Sequence, residues 1–192
     1  MNSFQPQLFT VDLNHHLFQG VRYVPSPNQD ERPNEQDLSL IVIHGISLPP
    51  GQFGGKGVEQ LFTNQLDETE DFYYAEIAHL KVSSHLYIQR SGALTQFVPF
   101  NQRAWHAGVS CFEGRERCND FSIGIELEGT DTTPYTASQY QTLKQVIEGL
   151  LNAYPSLSKR PIVGHCDIAP QRKTDPGPYF VWQAIDSTFQ KT

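Results

Sequence analysis

The chain has little cysteine, no long apolar run and a deficit of positive charge. Its 192 residues include only three cysteines, Cys111, Cys118 and Cys166. An odd number without a C-x-x-C pair excludes the disulfide framework that staples small secreted domains, and points to free thiols in a reducing compartment. Lys and Arg total 14 against 21 Asp and Glu, a formal charge of −7. That balance argues against nucleic acid, because binding to a phosphate backbone rests on clustered cations. No apolar stretch approaches the roughly 20 residues of a membrane span. The segment Met1–Thr10 has no basic leader ahead of an apolar core. A cytoplasmic protein with no membrane and no nucleic-acid partner is expected. Internal repeats and low-complexity segments are absent as well.

What is present fits one domain large enough to bury a core without staples. Residues 1–36 mix polar side chains with Pro25, Pro27, Pro33 and the pair His15-His16, so an extended, surface-wrapping entry with little regular structure is expected, ahead of a catalytic domain over 37–192. Leu38–Ile43 is a nearly continuous apolar run of strand length, the pattern of a strand covered on both faces, with His44 at its end. A Gly- and Pro-rich loop over 48–57 follows, then a short helix around Val58–Phe62. Residues 84–89 and 93–98 flank Arg90-Ser91-Gly92 as a hairpin. In Phe121–Glu128 the alternation places Ser122, Gly124, Glu126 and Glu128 on one strand face, leaving the core side. Thr136 and Gln139 form a capping box for a helix reaching about Ala153. Pro155 and Pro161 break the chain before Ile162-Val163, a strand that delivers the polar stretch Gly164–Gly177, and a last helix is expected after Pro178. Strands alternating with helices give an α/β fold with a mixed central β-sheet flanked by helices.

His44 and His165 each follow an apolar strand, so neighbouring strands can bring them together although 121 positions (165 − 44) separate them. With Asp175 they form a two-histidine, one-carboxylate set of the kind that leaves an open fourth position on zinc. Each histidine alone reads more readily as a hydrogen-bonded residue at a strand end, and Asp175 as the start of an Asp-Pro-Gly turn. Spacing alone leaves both readings standing.

The segments His44–Gly51, Arg103–Gly108, Gly114–Thr130, Gly164–Pro170 and Arg172–Gly177, in that order, closely resemble the zinc N-acetylmuramoyl-L-alanine amidases, and among them the cytosolic branch that acts on 1,6-anhydro-muropeptides. The resemblance runs over roughly residues 20–182. It implies Zn2+ held by His44, His165 and Asp175, with aspartate where related enzymes often carry cysteine, and leaves Cys166 as a small buried residue rather than a fourth ligand. It implies Glu126 as the proton-transfer group and Lys173 as the partner of the developing oxyanion, and it suggests Trp105 and His106 as a wall of the substrate cleft. Arg117 and Lys81, with Arg115, are candidates to meet the carboxylates of the substrate's peptide stem, while Tyr73, Tyr74, His79 and His85 read as packing residues. The implied activity is hydrolysis of the amide between the lactyl group of 1,6-anhydro-N-acetylmuramic acid and L-alanine, in cell-wall recycling, by a monomer. Its pathway consequence would be weaker induction of β-lactamase. The alternatives are a non-catalytic peptidoglycan-recognition module and a periplasmic amidase acting on intact murein.

Overall fold

Leu-Ile-Val-Ile-His-Gly-Ile, residues 40–46, is the strand around which the fold is arranged, and Leu40 to His44 are all buried. The computed structural model describes residues 9–157 and 161–186. In chain order the strands are β1 (Val11–Asp12), β2 (Leu17–Phe18), β3 (Arg22–Tyr23), β4 (Gln29–Glu31), β5 (Leu40–Ile46), β6 (Leu86–Ile88), β7 (Leu94–Gln96), β8 (Gln102–Ala104), β9 (Cys111–Phe112), β10 (Arg115–Glu116), β11 (Ser122–Glu128) and β12 (Ile162–Gly164). The helices are α1 (Gly57–Phe62), α2 (Phe72–Ile77), α3 (Ala137–Ala153), α4 (His165–Ile168) and α5 (Gln183–Asp186).

Six strands form one sheet in the order β12-β5-β11-β6-β7-β3. The first four run parallel, β7 returns antiparallel to β6 across the expected hairpin, and β3 pairs parallel with β7. Gly92, at φ +85°, supplies the left-handed residue that this hairpin needs. Helix α3 covers one face. Its Leu143, Val146, Ile147 and Leu150 join Ile41, Ile43, Ile123, Ile125 and Leu127 in the main core. Each such side chain taken fully out of water stabilises the fold by about 1.5–3 kcal/mol. The helix starts where its capping box predicts: the Gln139 N–H donates to Thr136 Oγ1 (3.1 Å) and the Thr136 N–H to Gln139 Oε1 (3.0 Å). The other face carries Leu40, Val42 and Val163 against Ala107, Cys118, Phe121 and Ile168.

Three expectations change. Residues 9–36 hold four short strands, and β3 lies in the central sheet; buried Arg32 donates to the carbonyls of Phe100, Asn119 and Ser122, so this entry is woven into the domain rather than wrapped over it. Residues 1–8 lie outside the described residues. Strand β11 is buried along its whole length, because a layer of loops covers the face that alternation marks as polar. Of the last helix the described residues hold one turn, in which Ile185 is buried while Val181, just before it, is half exposed. All three cysteines are free thiols, with Cys118 buried and Cys166 half-buried. Among the described residues no helix is long and apolar enough to cross a membrane.

Candidate metal centre

Register places the chemistry. Strands β12, β5 and β11 lie side by side in parallel, with Gly164 opposite Ile43 and Glu126 opposite His44. His165 comes one residue beyond Gly164, at the first position of α4. Strand parity puts His44 on the face of Leu40 and Val42, and Glu126 on the face of Ser122 and Gly124. The site thus opens at the carboxyl ends of parallel strands, where ligands bind in open α/β sheets. Asp175 arrives on the loop after α4. That loop is held by the Cys166 N–H donating to the Asp175 carbonyl (2.9 Å) and by the Tyr135 hydroxyl donating to the Pro176 carbonyl (2.9 Å). The Tyr135 side chain fits only because residues 45 and 129 are glycine: a Cβ at either would stand 2.4 Å from it.

Three donor atoms converge. His44 Nδ1 and His165 Nδ1 are 3.0 Å apart, and Asp175 Oδ2 is 3.4 Å from the first and 3.1 Å from the second. Among the described residues this is the one group of three or more His, Cys, Asp and Glu side chains close enough to share a metal ion, and Cys166 is not part of it. Burial pushes the His44 imidazole down to about 4, even against the pull of Asp175, so it is neutral near pH 7. Burial alone would raise the Asp175 carboxyl; the His165 and His44 rings beside it reverse that and hold it well below the usual carboxylate range. Neutral imidazole and ionised carboxylate are the forms that bind a cation. Donors on a tetrahedral ion with bonds of about 2.0–2.1 Å stand roughly 3.3 Å apart, and the observed separations bracket that spacing.

Glu126 stands beside the three, with Oε1 3.9 Å from His44 Nδ1 and Oε2 buried without a hydrogen-bond partner. Burial, reinforced by the Asp175 charge, pushes its carboxyl well above the ordinary value, while the Lys173 ammonium pulls the other way. Lys173 is exposed, yet its charge acts on both Glu126 and His44. Glu128, on the same strand face, accepts the N–H groups of Gly54 and Arg90 (2.9 Å for the latter), which makes it an anchor for two loops.

A family model for N-acetylmuramoyl-L-alanine amidase matches residues 34–178. The chain belongs to the N-acetylmuramoyl-L-alanine amidase family. It is 58% identical over 163 residues to the 1,6-anhydro-N-acetylmuramyl-L-alanine amidase AmpD of Escherichia coli, covering 85% of this chain and 88% of that protein. A crystal structure of a selenomethionine derivative of AmpD superposes with a TM-score of 0.88 at 53% identity, covering 93% of this chain and 98% of the other. The Escherichia coli amidase AmiD, solved with the substrate anhydro-N-acetylmuramic acid-L-Ala-D-γ-Glu-L-Lys, superposes at 0.57 with 30% identity, covering 79% of this chain and 57% of that one. The mixed central sheet with flanking helices is the fold of these amidases, and His44, Glu126, His165, Lys173 and Asp175 all lie inside the matched segment.

The remaining residues singled out in the sequence fall in several places. His106 is not a cleft wall: it is 8% exposed and sits behind His44, with Nδ1 2.9 Å from His44 Nε2. Trp105 is half-buried, its indole N–H donating to Asp30 Oδ1 (3.0 Å). Lys81 is exposed on the stretch between α2 and β6. Arg117 is exposed, contacts Asp120 at 3.4 Å, and lines a groove of about 580 Å3 together with Val109, Cys111, Ile168 and Arg172. Arg115 is tied instead to Asp37 and Ser39. Tyr74 and His85 are packing residues, whereas His79 is exposed. Sequence reasoning passed over Ser122, Asn119, Ala107 and Tyr135, which touch the site through its supports. The serine and asparagine lie inside Gly114–Thr130 and the alanine inside Arg103–Gly108, two of the segments that carry the resemblance, and that is the available signal.

Proposed function

We propose that the chain is a zinc amidase that cleaves the amide between the lactyl group of 1,6-anhydro-N-acetylmuramic acid and L-alanine of the stem peptide, in cytoplasmic peptidoglycan recycling. The observation that carries this is the convergence of His44, His165 and Asp175 on one point with the unpartnered Glu126 carboxyl beside it. The 58% identity to AmpD, a 1,6-anhydro-N-acetylmuramyl-L-alanine amidase, supports the choice of substrate, and three free thiols suit a reducing compartment. In that role the chain would also lower the muropeptide signal that induces β-lactamase.

His44, His165 and Asp175 would hold the ion and leave a fourth position open. When bound there, zinc supplies Lewis acidity, lowering the pKa of water toward neutrality and polarising a carbonyl. The chain's own part is proton handling and charge. Glu126 takes a proton from the attacking water and returns it to the departing alanine nitrogen; its buried, unpartnered Oε2 is free to reach both, and its raised affinity for protons suits the exchange. Lys173 brings a positive charge to the oxyanion that develops at the carbonyl. Arg117, on the rim of the 580 Å3 groove, and Lys81 and Trp105 are proposed contacts for the stem peptide and sugar. A recognition module would not need Glu126 and Lys173 beside a complete donor set.

The test is mass spectrometry of digests offered 1,6-anhydro-muropeptides and intact murein in parallel. Preferential release of peptide from the anhydro substrate is expected; equal rates on both would overturn the recycling assignment, and no release from either would overturn the enzyme reading.

A further inference from the structure

The two histidines of the cluster are held from behind by consecutive residues of one segment. His44 Nε2 is 2.9 Å from His106 Nδ1, and His106 Nε2 is 3.1 Å from Ser122 Oγ. The Ser122 hydroxyl donates to the Cys118 carbonyl at 2.5 Å. A hydroxyl has a single proton and a carbonyl only accepts, so Ser122 must accept from His106 Nε2–H. His106 is buried with no carboxylate on either ring nitrogen, so it is neutral and carries one N–H. Its Nδ1 is therefore an acceptor, which obliges His44 to carry its proton on Nε2 and leaves His44 Nδ1 bare toward Asp175. The next residue does the same for the other ring: His165 Nε2–H donates to the Ala107 carbonyl at 3.2 Å, so the tautomer this contact selects presents Nδ1 without a proton.

The segment is itself fixed. Asn119 Oδ1 accepts both the His106 N–H (3.1 Å) and the Ala107 N–H (2.8 Å), and Arg172 donates to the carbonyls of Ala107 (2.6 Å) and Val109 (2.8 Å). A Cβ at position 124 would stand 2.5 Å from His106 Cγ, so the imidazole lies in a space that only glycine leaves open on β11. One strand face thus holds the anchor Ser122, the gap Gly124 and the acid Glu126 in alternation.

We propose that Ser122 and His106 are positioning residues that fix the Nε2-protonated tautomer of His44, with the Ala107 carbonyl doing the same for His165, so that both Nδ1 lone pairs meet the metal without a proton to displace. This rests on the metal reading above. Groups that orient metal-bound histidines are worth about 10–100-fold in metal affinity.

The experiment measures zinc affinity of the full chain by chelator competition, alongside long-range 1H–15N spectra that report which ring nitrogen is protonated. His106→Leu, which keeps bulk and loses the acceptor, is expected to weaken zinc binding by about 10-fold or more. His106→Asn, whose side-chain oxygen can occupy the Nδ1 position, is expected to recover most of it. Ser122→Ala, the mildest change, is expected to let a second His44 tautomer appear in the metal-free spectra. Wild-type spectra with the His44 proton on Nδ1, or a folded His106→Leu variant that binds zinc as tightly as wild type, would overturn the proposal. If the wild type binds no zinc, the metal reading fails while the spectra still decide the tautomer assignment.

Discussion

Asp175 carries the negative charge of the donor set, and two imidazoles hold it ionised although burial opposes that. Replacing it by alanine removes a ligand and the charge together. Asp175→Ala is expected to lose stoichiometric metal and activity, and metal analysis of the purified variant checks it: full metal content would make the ligand set wrong. Glu126→Gln keeps the shape and removes proton transfer, so metal content should stay while turnover falls by about 10²-fold or more; unchanged turnover would remove Glu126 from the mechanism. At this scale the residues of the candidate donor set are legible in the sequence and their supports are not. His44, His165 and Asp175 lie in recognisable motifs. The place of His106 behind His44 depends on Gly124 leaving room for its ring, a packing fact with no local signature.

Secondary elements are legible in the sequence where the signal is local and less so where a second layer intervenes. The capping box of α3 is the clearest case, since Thr136 and Gln139 are three residues apart and need nothing else. Thr136→Ala removes that cap and the Thr136 hydroxyl's bond to the Arg90 carbonyl (2.7 Å), and should cost about 1–2 kcal/mol in urea unfolding; a change within error would mean the helix start is held by packing alone. Alternation in β11 correctly grouped Ser122, Gly124, Glu126 and Glu128, but could not show that His106, Ala107 and the loop at Gly54 cover that face. Period-2 patterning tells which residues share a side, not what lies opposite. The short strands of residues 9–36 were invisible for a related reason: two- and three-residue strands have no period to detect, and β3 exists only because β7 offers it an edge.

Across the whole molecule, burial keeps several histidines neutral. His44 is pushed to about 4, and burial with neighbouring positive charge pushes His85 and His106 well below the ordinary 6.5. The unfolded chain takes up protons at these positions below about pH 6.5 while the folded protein does not, so stability is retained above that pH and lost as pH falls. Each histidine contributes a slope of up to about 1.4 kcal/mol per pH unit. Urea titrations of metal-free protein between about pH 8 and pH 5 should show a plateau followed by a decline; a flat profile down to the acid end would mean these rings are already charged in the folded state. Zinc, if bound only by the folded form, should raise the midpoint of thermal unfolding, and chelation should reverse it. The level at which His165, His44 and Glu126 stand is set by hydrogen-bonded strands about 4.8 Å apart, not by the loops at their ends. Loops such as those over 47–56 and 65–71 can therefore lengthen, shorten or change sequence without altering that starting geometry. Such an arrangement lets descendants of one fold exchange the walls that meet a substrate while inheriting the placement of these three groups unchanged.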